Sequence, residues 1–485
     1  MLDKMITINA TEFNNLERKI YEIGCEYARN LMIDILTKID GELAKGRDKN
    51  KYRHKGKRKT TIKTLMGEIE FDRALYKTKG ENGEPQHIYL LDREINLKTF
   101  GKVSANLALK IADNASISSY RNTAKNITEL TGQSISHGGA WNIIQTLGEA
   151  IKEEENECTK MLEEEKIKGT KETKILFEEA DGVYINIQGK DRPKKARKLE
   201  MKVAVAYDGW VEISKGRYEL RNKVTVAGFD KAKDFQKRKE GIIASKYNTD
   251  EIELRILNGD GAPWIKNGII DETVHYQLDP FHLQREITRK VREKAHRNEI
   301  QKLLKEKKIE ELLKYITEIH TAVEEEKEKT KLRELYTYLS ENKEGILPYT
   351  ERGLSIPTPP QGVIYRTLGT MEHHICDIIA QRMKHRKASW SIKGGENLAK
   401  VLTVKINRTL YDTVTKISKT VLPEKYSKEI INEVLSASRA PKKDGKGYRY
   451  PYNGGTPFAE AFMTNGRSAI KNITKERGFT DIAFI

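Results

Sequence analysis

Asp181 interrupts an otherwise apolar, strand-like run, Ile175-Leu176-Phe177-Glu178-Glu179-Ala180-Asp181-Gly182-Val183-Tyr184-Ile185. Asp260 follows Leu257-Asn258-Gly259, the end of a second strand candidate, inside the loop Gly259-Asp260-Gly261-Ala262-Pro263. Glu372 opens a helical segment reading Met371-Glu372-His373-His374-Ile375-Cys376-Asp377-Ile378-Ile379. Carboxylates brought together from two strands and a helix present hard oxygen ligands. Such a cluster can hold two divalent ions, Mg²⁺ or Mn²⁺, roughly 3.5–4 Å apart, which stabilise both the attacking and the leaving oxygen of an in-line phosphoryl displacement. Spacing alone does not select these three from the 71 acidic residues. Asp181-Gly182 reads equally as a strand-ending turn, and Asp208-Gly209 is a rival of the same kind. Asp260 fits ordinary turn chemistry, and Glu372 fits a carboxylate favoured by the dipole of a helix N-terminus.

Elements able to position these groups are legible around them. Strand-like runs at 174–187, 199–207 and 223–229 are followed by a helical stretch at 232–247 and two more strand candidates at 253–257 and 274–278. Adjacent strands followed by alternating helix and strand predict an α/β layer with a mixed sheet. From Asp279 to about Tyr349 the pattern is helical and highly charged. Upstream, Phe13, Leu16, Ile20, Ile23, Ala28, Leu31, Ile35 and Ile39 recur at mostly three- and four-residue intervals, describing one amphipathic helix over residues 10–42 that should pack against a partner. Near alternation around Gly67 over residues 60–71 predicts a small strand pair. Helical segments at 120–130 and 137–147, separated by Thr131-Gly132-Gln133 and with Ser136 placed as a cap, have the layout of a helix-turn-helix, although any helical hairpin looks similar. Residues 151–172, rich in Glu and Lys, read as a solvated helical linker.

The formal charge is +17, with 88 Lys and Arg against 71 Asp and Glu, which points to a polyanionic partner. The densest cationic run, residues 45–63, contains Arg53, Lys55, Lys57, Arg58 and Lys59 with Tyr52 and His54 interleaved. It reads as a phosphate-contacting arm, since each neutralised phosphate releases counterions, or as a solvated tether. Arg192-Pro193-Lys194-Lys195-Ala196-Arg197-Lys198 forms a second cationic turn. Cys25, Cys158 and Cys376 lie too far apart in sequence for a disulfide framework. No run approaches the ~18 apolar residues of a spanning helix, and the amino terminus lacks a secretory pattern, so a cytoplasmic, nucleoid-associated protein without membrane contact is expected.

The order of these blocks resembles that of a Mutator-like DDE transposase of a bacterial insertion sequence, most closely the ISLre-type branch. The resemblance is carried by Asp181-Gly182, by Gly259-Asp260-Gly261-Ala262, by Asp279-Pro280-Phe281-His282, and by Gly369-Thr370-Met371-Glu372 followed by Arg382-Met383-Lys384, Trp390-Ser391 and Gly394-Gly395. Thr64-Leu65-Met66-Gly67-Glu68 and Ser119-Tyr120-Arg121 extend it over nearly the whole chain. Related enzymes often carry Asn near the third carboxylate, whereas Thr370 and Met371 precede Glu372 here.

The resemblance implies a multidomain α/β chain with a largely helical N-terminal region and a ribonuclease-H-like catalytic core bearing a helical insertion. The corresponding division is a DNA-binding region at 1–150, a linker at 151–172, the first part of the core at 173–282, the insertion at 283–360 and completion of the core at 361–485. Asp181, Asp260 and Glu372 are then the metal-binding catalytic triad, with His282 orienting DNA or a carboxylate. Arg53, Lys55, Lys57, Arg58, Lys59, Arg382 and Lys384 face DNA, while Trp390 either stacks a base or fills core. The implied partners are double-stranded DNA, at element ends and target, and a second copy of the chain or more, because two ends must be joined. The competing reading is a non-catalytic DNA-binding regulator derived from such an element.

Overall fold

The computed structural model describes residues 13–418, except 81, 98–99, 191, 193–196, 370–375 and 386–387, together with isolated positions from 423 to 435. Helix α1 (Phe13–Gly46) leads into strands β1 (Arg53–Thr64), β2 (Gly67–Lys79) and β3 (Pro85–Tyr89), which form an antiparallel sheet with β2 central. Every second residue of β2 is buried along most of its length, as expected of a half-buried strand. The cationic run is therefore not a loop: Arg53 through Lys59 form the outer half of β1, paired in register with residues 72–77 of β2. Its side chains are exposed on both faces, so no apolar alternation marks it as a strand. A bulge between His54 and Lys57, with Gly56 at φ +88°, re-aims this end of the hairpin.

A short helix α2 (Leu90–Glu94) precedes α3 (Ala105–Ala115), α4 (Tyr120–Thr131) and α5 (His137–Glu163). Ser104, Ser119 and Ser136 cap the last three through backbone amides three residues on. Gly132, left-handed at φ +66°, ends α4. The expected break after residue 150 does not occur, because the apolar face of α5 continues from Ala140, Ile144 and Leu147 to Ile151. The charged stretch beyond hides a buried residue, Glu155, which meets Lys400 Nζ at 2.6 Å and Arg238 at 3.2 Å.

The central sheet comprises β4 (Ile175–Asn186), β5 (Lys198–Tyr207), β8 (Val224–Gly228), β9 (Leu254–Gly259) and β10 (Val274–Leu278), in the order β10-β9-β4-β5-β8. Strands β10, β9 and β4 are parallel, and β5 pairs antiparallel with both β4 and β8. An additional hairpin, β6 (Trp210–Ser214) with β7 (Arg217–Leu220), stands between β5 and β8. Helix α6 (Ala232–Lys246) links β8 to β9, the single turn α7 (Pro263–Lys266) links β9 to β10, and α8 (Pro280–Lys290) follows β10. Next come α9 (Lys294–Lys305), α10 (Ile309–Ala322) and α11 (Glu326–Glu341), then α12 (Cys376–Met383), α13 (Ile392–Ile406) and α14 (Leu410–Ser418).

Helices cover both faces of the sheet. On one, Ile300, Leu312, Ile316, Leu335 and Leu339 of α9–α11 share a core with Tyr276 and Leu278 of β10 and with Leu283 and Ile287 of α8. On the other, Leu107, Ile111, Ile127, Ile144 and Leu147 of α3–α5 share one core with Phe177 and Val183 of β4, Val203 and Val205 of β5, and Leu398 and Leu402 of α13. The region before 150 is thus packed into the sheet domain. A cut at 150 would sever α5 and expose this core. Among the described residues no helix is long and apolar enough to cross a membrane.

Candidate metal centre

The register of the parallel strands brings the predicted acids together. Ala180 of β4 pairs with Gly259 of β9, so Asp181 and Asp260 are the next residues on adjacent chains, at the point where β9 ends and β4 runs on. Gly259 also pairs with Leu278, the last residue of β10, and its carbonyl accepts from Asp279 N at 2.8 Å. That contact sets the start of α8 and places His282 in its first turn, where the Asp279 carboxylate caps the His282 amide at 3.1 Å. Ligand atoms of Asp181, Asp260 and His282 all lie within 4.8 Å of one another.

Each position is fixed locally. The Asp181-Gly182 pair is not a turn, since β4 continues to Asn186; at Gly182 a Cβ would collide with the Glu200 carboxylate of β5. The Asp260 Oδ1 accepts from Ala262 N at 2.9 Å across Gly261 (φ +95°), and its backbone carbonyl accepts from the Tyr338 hydroxyl of α11 at 3.0 Å. Helix α11 thereby braces the loop that carries Asp260. The rival Asp208 is a structural group: fully buried, it accepts from Arg221 at 2.9 and 2.7 Å and from Asn222 at 2.9 Å.

Beneath the cluster lies a layer that sequence reading missed. Glu179, on the same face of β4 as Asp181, is fully buried; it accepts from the Tyr207 hydroxyl, from Gly369 N at 3.0 Å and from Asn258 Nδ2 at 3.4 Å. Asn258 Nδ2 also reaches Asp279 Oδ2 at 2.9 Å. Gly369, whose amide meets Glu179, adopts φ +118°, a conformation that favours glycine. Glu372 itself lies outside the described residues, as does most of the Arg192–Lys198 turn. The one sequence signal for Glu179 was its acidic pair with Glu178 inside an apolar run.

The donor set suits a hard cation that tolerates one imidazole. Buried His282 Nδ1 has no hydrogen-bond partner among the described residues, the condition of a nitrogen awaiting a ligand. Burial raises the Asp181 carboxyl above the ordinary aspartate range, and Asp260 and Asp279 add to this, while His282 and the Gly182 amide oppose it. Because the folded pKa is raised, ionised Asp181 costs stability in the metal-free protein as pH rises through that range. Asp181→Asn is therefore expected to hold or raise the metal-free Tm near neutral pH. A fall of several degrees in a thermal melt would mark the residue as structural.

The remaining predicted contacts divide. Arg382 of α12 is partly buried, donating Nε to the Ala115 carbonyl at 2.6 Å, with its guanidinium 5.3 Å from the Tyr120 ring centre and 5.0 Å from that of Trp390. The structure thus gives it a joint between α3, α4 and α12. Trp390 is core, its Nε1 donating to the Met383 carbonyl at 2.9 Å. Lys384 is exposed, as are Arg53, Lys55, Lys57, Arg58 and Lys59.

A model of the uncharacterised protein family UPF0236 matches residues 6–420. The chain belongs to that family. Within it, UPF0236 protein TTE2489 of Caldanaerobacter subterraneus subsp. tengcongensis is 28% identical, covering 81% of this chain and 78% of the relative. Another UPF0236 protein of the same strain, whose name joins eleven designations from TTE0033 to TTE2212, is 27% identical over 81% of this chain and 78% of its own. The UPF0236 protein in vanSb 3'region of Streptococcus gallolyticus is 23% identical, covering 81% and 83% respectively.

Proposed function

We propose that this UPF0236 chain is a DDE-type DNA transposase of the ISLre branch, related to Mutator-like enzymes, with a ribonuclease-H-like core and two Mg²⁺ or Mn²⁺ ions as cofactors. The observation that carries the reading is the convergence of Asp181 and Asp260 at neighbouring parallel strands, with His282 beside them. Supporting it are the sheet order β10-β9-β4-β5-β8 with a single antiparallel reversal at β5, and the helices α9–α11 between Asp260 and the segment carrying Glu372. The relative named by eleven designations within one strain is consistent with a gene that copies itself.

When bound, the divalent ions would neutralise charge on the attacking and leaving oxygens. Asp181, Asp260 and Glu372 supply negative oxygens to hold them, and His282 offers a nitrogen at the rim. Glu179 and Asn258 keep β4, β9 and the chain before Glu372 in register. Water attacks the phosphorus at the element end and releases a 3′ hydroxyl. That hydroxyl then attacks a target phosphorus, forming one P–O bond as the target's own P–O3′ bond breaks, so phosphodiester number is conserved.

The exposed half of β1 is the expected phosphate contact. Replacing Arg53, Lys55, Lys57, Arg58 and Lys59 together by Ser should flatten the plot of log affinity against log salt by up to about 4.5, about 0.9 for each lost phosphate contact. Fluorescence anisotropy on duplex DNA measures this, and an unchanged slope would move the contact elsewhere. The function itself is tested with the full chain, Mn²⁺ and a plasmid carrying the reading frame with its flanking DNA. Nicks leaving 3′ hydroxyls at inverted repeats are the expected product. Binding to those repeats without cleavage would favour the regulator instead.

A further inference from the structure

Helix α11 meets the loop after β9 through its last turn. Leu332, Leu335 and Leu339 bury one stripe of the helix in the core shared with α9 and α10, while Tyr338 and Asn342, four residues apart on a neighbouring stripe, reach the loop. The ladder of β9 ends at Gly259, so the carbonyls at this end need donors from elsewhere. That of Gly259 accepts from the Tyr276 hydroxyl at 2.9 Å and from Asp279 N at 2.8 Å. That of Asp260, among the described residues, accepts from the Tyr338 hydroxyl alone, at 3.0 Å. The open side of Gly261 is also taken: a Cβ there would stand 2.9 Å from Asn342 Nδ2 and 3.2 Å from the Tyr338 ring. Asn342 is tied back in turn, donating Nδ2 to the Tyr338 carbonyl at 2.7 Å. Lys266 donates to the Glu341 carbonyl at 2.8 Å, so one turn of α11 holds both ends of the segment from Asp260 to Lys266.

We propose that Tyr338 is a positioning residue for the cation centre and sets its affinity through the Asp260 carbonyl. The proposal rests on the reading of Asp181 and Asp260 as cation ligands, and adds that the helices α9–α11 control how well those ligands bind. The carbonyl and the carboxylate of Asp260 move together, because Oδ1 accepts from Ala262 N across Gly261. Glycine permits the peptide between Asp260 and Gly261 to rotate, and the hydroxyl of Tyr338 stops it. Without that bond the carboxylate leaves the register that sets it beside Asp181, and binding a cation must then restore the lost order.

Two matched variants of the full chain test this. Tyr338→Phe and Tyr276→Phe each delete one phenol hydroxyl bonded to a carbonyl at the end of β9, but Tyr276→Phe leaves the Gly259 carbonyl its bond from Asp279 N. In Mn²⁺ titration calorimetry Tyr338→Phe should bind about tenfold more weakly than wild type, as when a group supporting a metal ligand is removed, and Tyr276→Phe within about twofold of it. Hydrogen exchange of the metal-free proteins gives a second readout: the Ala262 amide should exchange about tenfold faster in Tyr338→Phe and at the wild-type rate in Tyr276→Phe. Equal changes in both variants, or an unchanged affinity or exchange rate in Tyr338→Phe, would overturn the proposal while leaving the metal centre standing. Absence of Mn²⁺ binding by wild type would overturn the centre itself, and the proposal with it.

Discussion

Asp260→Asn is expected to lower cleavage at the element end by on the order of a thousandfold or more, and Asp181→Asn to do the same, while DNA binding through β1 persists. The size follows from the several kcal/mol by which coordinated divalent ions stabilise developing charge, each 1.36 kcal/mol being tenfold in rate. Both carboxylates lie at the same parallel register point, so neither can substitute for the other's position. Glu372→Gln should behave likewise. Asp208→Asn is the contrasting variant: it leaves Arg221 without its buried partner and should lower stability before it affects chemistry. Gel assays of nicking beside filter binding separate the two effects. Were Asp208→Asn to abolish cleavage in a stable protein while Asp181→Asn retained it, the first carboxylate would be misassigned.

The largest expected loss of stability lies on the opposite face of the same strand. Glu178 is fully buried and meets Lys239 Nζ at 2.5 Å and Arg255 Nε at 2.6 Å, with Glu240 completing the group at 2.8 Å from Arg255. Burial alone would push the Glu178 carboxyl up, but Arg255 and Lys239 outweigh it and hold it well below the usual glutamate range. Glu178→Ala leaves the buried Lys239 and Arg255 to share the single carboxylate of Glu240 and is expected to cost about 3–5 kcal/mol. Because the folded pKa is depressed, the carboxylate's contribution is present above the ordinary glutamate range and disappears as pH falls below it. Chemical denaturation of wild type and variant near neutral pH and in acid should show their difference shrinking in acid. An equal difference at both would mean that the lost group acts through packing alone.

Much of the sheet was readable because its strands are apolar on both faces and bounded by Gly, Asp and Pro: β10 spans the expected 274–278, and β5, β8 and β9 differ at their ends. Asp181 and Asp260 were legible for a related reason, each being an acid at an apolar strand. Glu179 was not, because a buried carboxylate held by Tyr207, Asn258 and a backbone amide depends on partners far away in sequence. The outer half of β1 was hidden by its own exposed cations, which remove the alternation by which strands are recognised. The β6–β7 hairpin was missed since most of its residues are exposed or half-buried, leaving no apolar period to read. Arg382 looked like a phosphate contact on charge alone; its place between Tyr120 and Trp390 arises from packing of segments more than 250 residues apart.

Titration calorimetry of Mn²⁺ into the full chain, compared with the Asp181→Asn/Asp260→Asn double variant, tests the metal centre most directly. Saturable binding by wild type, lost in the folded double variant, is the predicted result; equal binding by both proteins, or none by wild type, would contradict a cation site built on these two strands.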